Sequence, residues 1–306
     1  MLKRQKEVIQ YQLDLEEKAI AELERQYKAA LFTINRRIKL YQAEELTASR
    51  INRINFQKQL KAQVEAILDK LQGDNFDTIQ EWLNASYTNS FVGVMYDLAG
   101  QGLPVILPID KKAAAKAILT DSKISVNLYT ALGVDIKHLK KAIRQEITRG
   151  IASGMPFNDI ARNIATVTGA PLSRARAIVR TEGHRIQEES KQDARTAAKT
   201  KGAETVKQWD ATLDGATRDT HRKLDGQIRE IDEPFEANGN KAMYPGGFGD
   251  PAEDCECRCV ALTRARAAMD ADELRVMQDR AAYFELDKAA DFEEFKKKFL
   301  KAAEEQ

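Results

Sequence analysis

"MLKRQKEVIQYQLDLEEKAI", residues 1–20, opens a stretch that contains no glycine or proline before Gly73. Both residue types disfavour helix interiors, so the usual helix breakers are missing here. The pattern predicts one or two long amphipathic helices. It fits a coiled coil and, equally, packing against another helix of the same fold. Apolar and small residues fall on a seven-residue lattice, which Glu16 and Arg37 interrupt, at Ile9, Leu13, Ile20, Leu23, Tyr27, Ala30, Ile34 and Tyr41.

The overall composition narrows the class of protein. The length of 306 residues predicts about two domains. Charged residues make up 31% of the chain, yet the formal net charge is +1, so no net field draws the whole chain to nucleic acid or lipid. No window reaches the roughly 18 apolar residues of a membrane span, and charges interrupt residues 1–20, unlike a secretory signal. We expect a soluble protein made in the cytosol, with no membrane partner.

The middle of the chain keeps a helical pattern in shorter pieces. Asp77 or Thr78 is a suitable N-cap for a helix that ends near Gly100. Asn158 is a suitable N-cap for a second helix, with Gly169 as its stop. Ser173 then opens a longer helix that Gly202 ends. We therefore expect several separate helices between Asp77 and Gly202.

The amino-acid composition changes after Gly202, because residues 215–249 contain six glycines. The short alternating runs "TVKQWDAT" (205–212) and "CRCVAL" (257–262) predict strands, with "ATRDTHRKL" (216–224) as a brief helix between turns. We expect Trp209 to be the core anchor of this unit. "FEEFKKKFLKAAEEQ" (292–306) predicts an amphipathic terminal helix.

The expected fold class is therefore mainly α, with a small C-terminal α+β module. We divide the chain into a long helical region at 1–72, a helical domain at 73–202, the module at 203–263 and a helical tail at 264–306.

All three cysteines lie within "DCECRCVAL", residues 254–262, at Cys255, Cys257 and Cys259. A disulfide framework would spread its cysteines over the fold, so this odd and crowded set indicates a reduced compartment and either a metal site or local packing. On a strand, alternate side chains project from one face, so neighbouring thiolates could approach one ion. Zinc takes four ligands in a tetrahedron and accepts imidazole beside thiolate.

A histidine ligand must come from His138, His184 or His221, and His221 lies in the same small unit as the cysteines. We expect a structural zinc site of His221 and two cysteines, completed by the remaining cysteine or by Asp254. Two alternatives stay open. The cysteines could pack as small apolar residues, or the metal could be catalytic with Glu253 as a general base.

One basic stretch runs from Arg174 to Lys201, with eight lysines and arginines against four acidic residues. Such a helix could contact phosphates without reading sequence. The alternative is a solvated helix face with internal ion pairs, such as Arg185 with Glu189. The candidate DNA contacts are Arg174, Arg176, Arg180 and Arg185.

Four stretches taken together resemble the Mu F-like minor head proteins, also called the phage head morphogenesis family. They are "RTEGHR" (180–185), "KQWDATLDGATRDTHRKLDG" (207–226), "YPG" (244–246) and "PAEDCECRC" (251–259), in the family's order and spacing. The resemblance covers about residues 135–262. It departs from the family at Cys255, where a histidine or an asparagine-bearing stretch is common. The matching positions are Arg180, Thr181, Glu182, Trp209, Asp214, Arg218, His221, Leu224, Asp225, Gly226, Pro245, Gly246, Cys257, Arg258 and Cys259.

The resemblance implies a non-enzymatic virion component that supports head assembly and DNA delivery. Family members are similar in lying inside the capsid near the portal vertex, so the portal protein, the major capsid or scaffold proteins and packaged DNA are the implied partners. Several copies would surround the portal, after a stage in the host cytoplasm during assembly. The alternatives are a zinc-dependent hydrolase or nuclease, an ADP-ribosyltransferase-like enzyme, and a DNA-contacting protein that uses helix 174–201.

Overall fold

Long helices dominate the first two thirds of the chain. The computed structural model describes residues 1–45, 50–119, 128–153, 155, 157–266 and 271–305. None of the helices in these ranges is long and apolar enough to cross a membrane. The N-terminal helices are α1 (Lys3–Glu45), α2 (Arg50–Gly100), α3 (Lys111–Leu119), α4 (Leu128–Ala152) and α5 (Phe157–Thr200).

Short elements follow, and helices return at the end. A 3-10 turn, Leu286–Lys288, lies between the last two helices. The elements in chain order are β1 (Thr205–Asp210), α6 (Asp219–Leu224), β2 (Ile228–Glu230), β3 (Phe235–Ala237), β4 (Asn240–Ala242), α7 (Pro251–Asp254), β5 (Val260–Ala265), α8 (Ala271–Tyr283) and α9 (Phe292–Glu304). The expected fold class, mainly α with a small α+β module, is confirmed.

Two expected helix breaks are wrong. Helix α2 runs through Gly73 and through the expected start at Asp77, and helix α5 runs through Gly169 and Pro171. A glycine costs a helix about 1 kcal/mol relative to alanine, and an interior proline about 3 kcal/mol. Burial of a large apolar side chain stabilises the folded state by about 1.5–3 kcal/mol. Helix α5 carries a continuous buried stripe on both sides of Pro171, at Ile164, Thr168, Ala175 and Val179.

Helix α1 buries one stripe of side chains within the chain. The expected stripe is confirmed at Leu23, Tyr27 and Ile34, but Leu13 is 48% exposed. The stripe drifts from the heptad lattice because a straight helix has 3.6 residues per turn. Gln26 donates a 2.8 Å hydrogen bond to Thr78 of α2, so α1 packs against another helix of the same fold. The side chain of Tyr41 lies outside the described part of the chain.

The chain forms two compact units that are discontinuous in sequence. The first contains residues 1–16, 82–124 and 180–306, and the second contains residues 17–81 and 125–179. The division into four consecutive regions stays a prediction.

Helix α9 completes the core of the first unit. Its apolar side chains Phe292, Phe295 and Phe299 are buried against residues of α2 such as Met95. Asp291 caps the helix, because its side chain accepts a 2.8 Å hydrogen bond from the Glu294 N–H. The predicted amphipathic terminal helix is therefore confirmed.

The small module is built on a three-stranded antiparallel sheet with the order β2-β1-β5. In its centre Trp209 of β1 pairs with Ala261 of β5. Strands β3 and β4 form a separate hairpin. The expected strand over 257–262 begins only at Val260, so Cys257 and Cys259 lie in the irregular segment that enters β5. Trp209 is fully buried, which confirms it as the core anchor.

Buried charges join helix α5 to strand β5. The Glu188 carboxylate accepts a 3.0 Å hydrogen bond from the Ala261 N–H. The Arg195 guanidinium donates to the Ala261 carbonyl oxygen and, at 3.0 Å, to the Thr263 hydroxyl. Arg195 is 1% exposed, and burial lowers its pKa to about 10. These contacts hold the strand that follows the cysteines against a rigid helix.

Candidate metal centre

His221, Cys257 and Cys259 meet in the interior of the small module. The Nδ1 atom of His221 lies 3.6 Å from the Cys257 Sγ and 3.4 Å from the Cys259 Sγ. All three ligand atoms lie within 4.8 Å of one another, and all three residues are buried. The structure therefore brings together three of the four residues that the sequence proposed as metal ligands.

Separate elements present these side chains. His221 lies on the single-turn helix α6, and its ring packs edge-on against the Trp209 indole at a centroid distance of 5.4 Å. The two thiols belong to the same buried cluster as Trp209, Phe235 and Phe248. Cys257 and Cys259 are separated by one exposed residue, so both thiols point to the interior.

The two thiols differ in acidity. The Cys257 thiol donates a hydrogen bond to Cys259, which lowers the pKa of Cys259 to about 5. Contacts with His221 and Trp209 lower the pKa of Cys259 further, while burial opposes them. The same thiol–thiol bond raises the pKa of Cys257, and burial adds to that rise. Cys259 is therefore the more acidic of the two thiols, and a thiolate is the form of cysteine that binds metal.

The spacing of the donor atoms fits a tetrahedral zinc ion. With Zn–S near 2.3 Å and Zn–N near 2.05 Å, the nitrogen and a sulfur of one site are about 3.6 Å apart. The two observed distances from His221 Nδ1 are 3.6 and 3.4 Å. Similar distances also suit weak hydrogen bonds between thiols and imidazole, so the packing alternative stays open.

Cys255 lies outside the group of three ligands. It is half-buried, and its N–H donates to the Pro251 carbonyl oxygen in the turn after α7. Asp254, the other proposed fourth ligand, is already engaged, because its carboxylate accepts bonds from the N–H groups of Phe248 (3.1 Å) and Gly249 (2.6 Å). Among the described residues, no fourth protein ligand joins the group.

Glu253 approaches His221 from the opposite edge of the ring. Its Oε2 atom lies 3.0 Å from His221 Nε2, whereas the thiols face Nδ1. A general base for a metal-bound water must reach the metal, and this carboxylate is separated from the thiol side by the imidazole. Glu253 therefore does not have the position of a general base. Reasoning from the sequence missed its contact with His221, since no periodicity relates two residues on different short helices.

The remaining positions of the family pattern build the loops around the centre. Arg258 forms a two-pronged ion pair with Asp214, at 2.6 and 2.8 Å, and this pair lowers the pKa of Asp214. Arg218 donates a 2.6 Å bond to the Cys255 carbonyl oxygen. Asp225 accepts a 2.8 Å bond from the Ala211 N–H. Gly226 has a φ of +77°, which only glycine adopts easily.

The proposed DNA contacts have different environments. Arg185 is 3% exposed and pairs with Glu182 and Glu189, so it does not face solvent, and the expected Arg185–Glu189 pair is present. Arg176 is ion-paired with Glu24. Arg174 and Arg180 are exposed, and Arg180 lies 3.7 Å from Glu16. A DNA-binding role for these residues stays a prediction.

A groove of about 820 Å³ lies beside the cysteine segment in the first unit. Cys255 and Cys257 line one part of it, and apolar residues of α1 such as Ile9 and Leu13 line another. Two of its cations, Lys191 and Arg258, already have acidic partners. A third, Arg180, lies 3.7 Å from Glu16, so three of the four lysines and arginines that line the groove have acidic partners.

Comparison with known proteins shows which family is similar to the segment that contains His221, Cys257 and Cys259. The family described as "Phage Mu protein F like protein" matches residues 141–262. Minor head protein GP7 of Bacillus phage SPP1 is 35% identical over 121 residues, which are 39% of this chain and 39% of that protein. The resemblance to Mu F-like phage minor head proteins is therefore confirmed for this segment.

A second relative is named as an enzyme. NAD(+)--arginine ADP-ribosyltransferase EFV of Enterococcus faecalis (strain ATCC 700802 / V583) is 29% identical over 243 residues, which are 77% of this chain and 49% of that protein. The chain thus spans about half or less of the curated relatives it matches. No solved structure matches the chain.

Proposed function

We propose that the protein, whose residues 141–262 match the phage Mu protein F like family, is a non-enzymatic minor head protein of a tailed phage. The observation that carries this proposal is the match itself. The matched segment contains His221, Cys257 and Cys259 together with the core anchor Trp209. The matched segment therefore spans the small module as well as part of the preceding helices.

The proposal also covers the location of the protein in the virion and its binding partners. The protein would lie inside the capsid near the portal vertex, in several copies, and would support head assembly and DNA delivery. Its partners would be the portal protein and the major capsid or scaffold proteins. Packaged DNA could be contacted through the exposed Arg174 and Arg180. Assembly would take place in the host cytoplasm.

Purified particles test the proposal directly. Phage particles are treated with protease before and after they are opened, and the protein is quantified by mass spectrometry with the portal protein as a reference. We expect the protein to be present, protected in intact particles and degraded in opened ones. Absence from purified particles would refute the proposal. Degradation in intact particles would refute the internal location.

We assign a structural role to zinc at the centre, held by His221 Nδ1 and the sulfurs of Cys257 and Cys259. A structural zinc contributes on the order of 10 kcal/mol to small folds. The module has one buried apolar cluster, whose large members are Trp209, Phe235 and Phe248, and its strands are three to six residues long. A bound metal would tie α6 to the segment that enters β5.

The similarity to an ADP-ribosyltransferase favours a second candidate, an enzyme. The matched region covers 49% of that relative, so its named activity can belong to the half that this chain does not match. The test incubates the purified chain with labelled NAD⁺ and an arginine-rich acceptor protein, with an active arginine ADP-ribosyltransferase as control. We expect no transfer of label. Transfer by the purified chain would replace the non-enzymatic proposal.

A zinc-dependent hydrolase or nuclease has less support. Glu253 lies on the far edge of the His221 ring from the thiols, and the described residues near the centre offer no second base aimed at the metal position. Metal-dependent cleavage of DNA by the purified protein, lost in a folded His221→Ala variant, would restore this candidate.

A further inference from the structure

We propose that Glu253 is a positioning residue, which turns His221 so that Nδ1 presents its lone pair to Cys257 and Cys259. The proposal rests on the metal centre of the proposed function and adds the residue that orients its histidine. Glu253 touches neither thiol, so any effect of its replacement on metal binding must pass through the imidazole.

The geometry places the carboxylate where it can control the ring. Oε2 of Glu253 lies 3.0 Å from His221 Nε2 and also accepts a 2.8 Å hydrogen bond from the Thr220 hydroxyl. Glu253 is 3% exposed and His221 is 1% exposed, so water does not compete for this contact. His221 Nε2 makes no well-directed hydrogen bond within the described part of the chain, and the Glu253 carboxylate is the acidic group that lies within 4 Å of it.

The backbone fixes the carboxylate in turn. Helix α7, which carries Glu253, begins at Pro251 and is capped by Asp250, whose side chain accepts a 2.9 Å bond from the Ala252 N–H. A proline at the first helical position has its φ already set for the helix. The carboxylate therefore starts from a rigid turn, as a positioning group requires.

Packing alone cannot select the orientation of the imidazole. Trp209 meets the ring edge-on, and Phe248 lies at a centroid distance of 6.0 Å with an interplanar angle of 32°. These apolar contacts hold the ring plane but do not distinguish Nδ1 from Nε2. A carboxylate accepts hydrogen bonds only, so it requires a proton on Nε2 and leaves Nδ1 as the acceptor or metal ligand.

The consequence for metal binding is a preset tautomer. Metal-bound histidines usually donate their other N–H to a carboxylate or carbonyl, and loss of that partner costs about 10- to 100-fold in metal affinity. The amide of a Glu253→Gln variant can either accept from Nε2–H or donate to a bare Nε2. The variant would therefore no longer impose one tautomer.

Two measurements test the inference separately. In the first, Co²⁺ is titrated into the metal-free full chain and the affinity is read from the visible ligand-field and thiolate charge-transfer bands. We expect Glu253→Gln to bind about 10- to 100-fold more weakly. The matched control is Glu256→Gln, which removes the same charge from an exposed residue between Cys255 and Cys257. The control should bind like the wild type.

The second measurement uses no metal. Long-range ¹⁵N–¹H NMR of the histidine rings in the metal-free protein should show His221 protonated at Nε2 in the wild type, and a mixture of tautomers in Glu253→Gln. Protonation at Nδ1 in the wild type, or an unchanged tautomer and Co²⁺ affinity in the variant, would overturn the inference.

The outcomes separate the two proposals. If the wild type binds no Co²⁺, the proposed metal centre fails, while the NMR result still decides whether Glu253 orients the ring. If Glu253→Gln does not fold, Glu253→Asp replaces it, because the shorter carboxylate keeps the charge but moves the acceptor. An unchanged tautomer and affinity in folded Glu253→Asp, or a wild type protonated at Nδ1, would refute the inference.

Discussion

Replacement of Gly183 by alanine should destabilise the protein although alanine is the better helix former. Gly183 lies in helix α5 against the indole of Trp82, and a Cβ at this position would be 2.6 Å from Nε1 and 3.1 Å from Cε2. Trp82 is 4% exposed, so the ring has little room to move. Overpacking costs about 1–3 kcal/mol, and the gain in helix propensity is about 1 kcal/mol. These terms leave a net loss of up to about 2 kcal/mol, and because a rigid ring causes the clash we expect the upper half of that range.

Gly169 provides the matched control in the same helix. It is exposed, and a Cβ there would meet nothing within 4 Å. Gly169→Ala should therefore stabilise the protein by about 0.5–1 kcal/mol. Urea unfolding followed by far-UV circular dichroism gives the free energy of unfolding for both variants. If Gly183→Ala is as stable as Gly169→Ala, the packing of α5 on Trp82 is wrong. If Gly169→Ala is destabilised, α5 does not continue through this position.

Three further predictions concern buried charge and metal. Burial lowers the pKa of Lys207 from its ordinary value of 10.5 to about 7, so the folded protein binds fewer protons than the unfolded chain between these values. The stability of the wild type, relative to Lys207→Met, should therefore rise from pH 7 to 10.5 in urea titrations, and a flat difference would contradict this. Arg195→Met should lose about 3 kcal/mol of unfolding free energy, because it removes a buried cation from its hydrogen bonds. The control Lys199→Met replaces an exposed residue and should change the unfolding free energy by less than about 0.5 kcal/mol. Equal effects of the two substitutions would exclude the buried network. A chelator should lower the thermal midpoint of the wild type but not that of Cys257→Ser, and equal responses would remove the structural metal.

Much of the fold follows from local pattern. The missing breakers before Gly73 and the apolar repeat predict long helices, because both features act within one or two turns. The breaks expected at Gly73 and Gly169 are wrong, because their small local cost is outweighed by burial along the rest of each helix. That burial depends on partners distant in sequence, such as Thr78 against Gln26 of α1.

The buried charges of α5 show a second limit of local pattern. The residues Glu188, Lys191 and Arg195 have the spacing of a solvated ion-paired face, and the same spacing also suits a buried network. Only the strand that packs on them distinguishes the two arrangements. Here the Ala261 N–H donates a hydrogen bond to Glu188, and the Ala261 carbonyl oxygen accepts one from Arg195.

The candidate centre was predicted in part. His221, Cys257 and Cys259 come together as expected because residue type and shared module already limit the choice of ligands. The orienting contact from Glu253 depends on how the short helices α6 and α7 face each other. The hairpin and the Asp250 cap between them set that geometry, and neither leaves a periodic signal.

Elemental analysis of the purified protein tests the central claim, a module closed by metal at His221, Cys257 and Cys259. The wild type and Cys255→Ser should each carry one zinc per chain, and Cys257→Ser should carry none. Wild-type protein that is purified without zinc, or equal zinc content in the wild type and Cys257→Ser, would contradict the account.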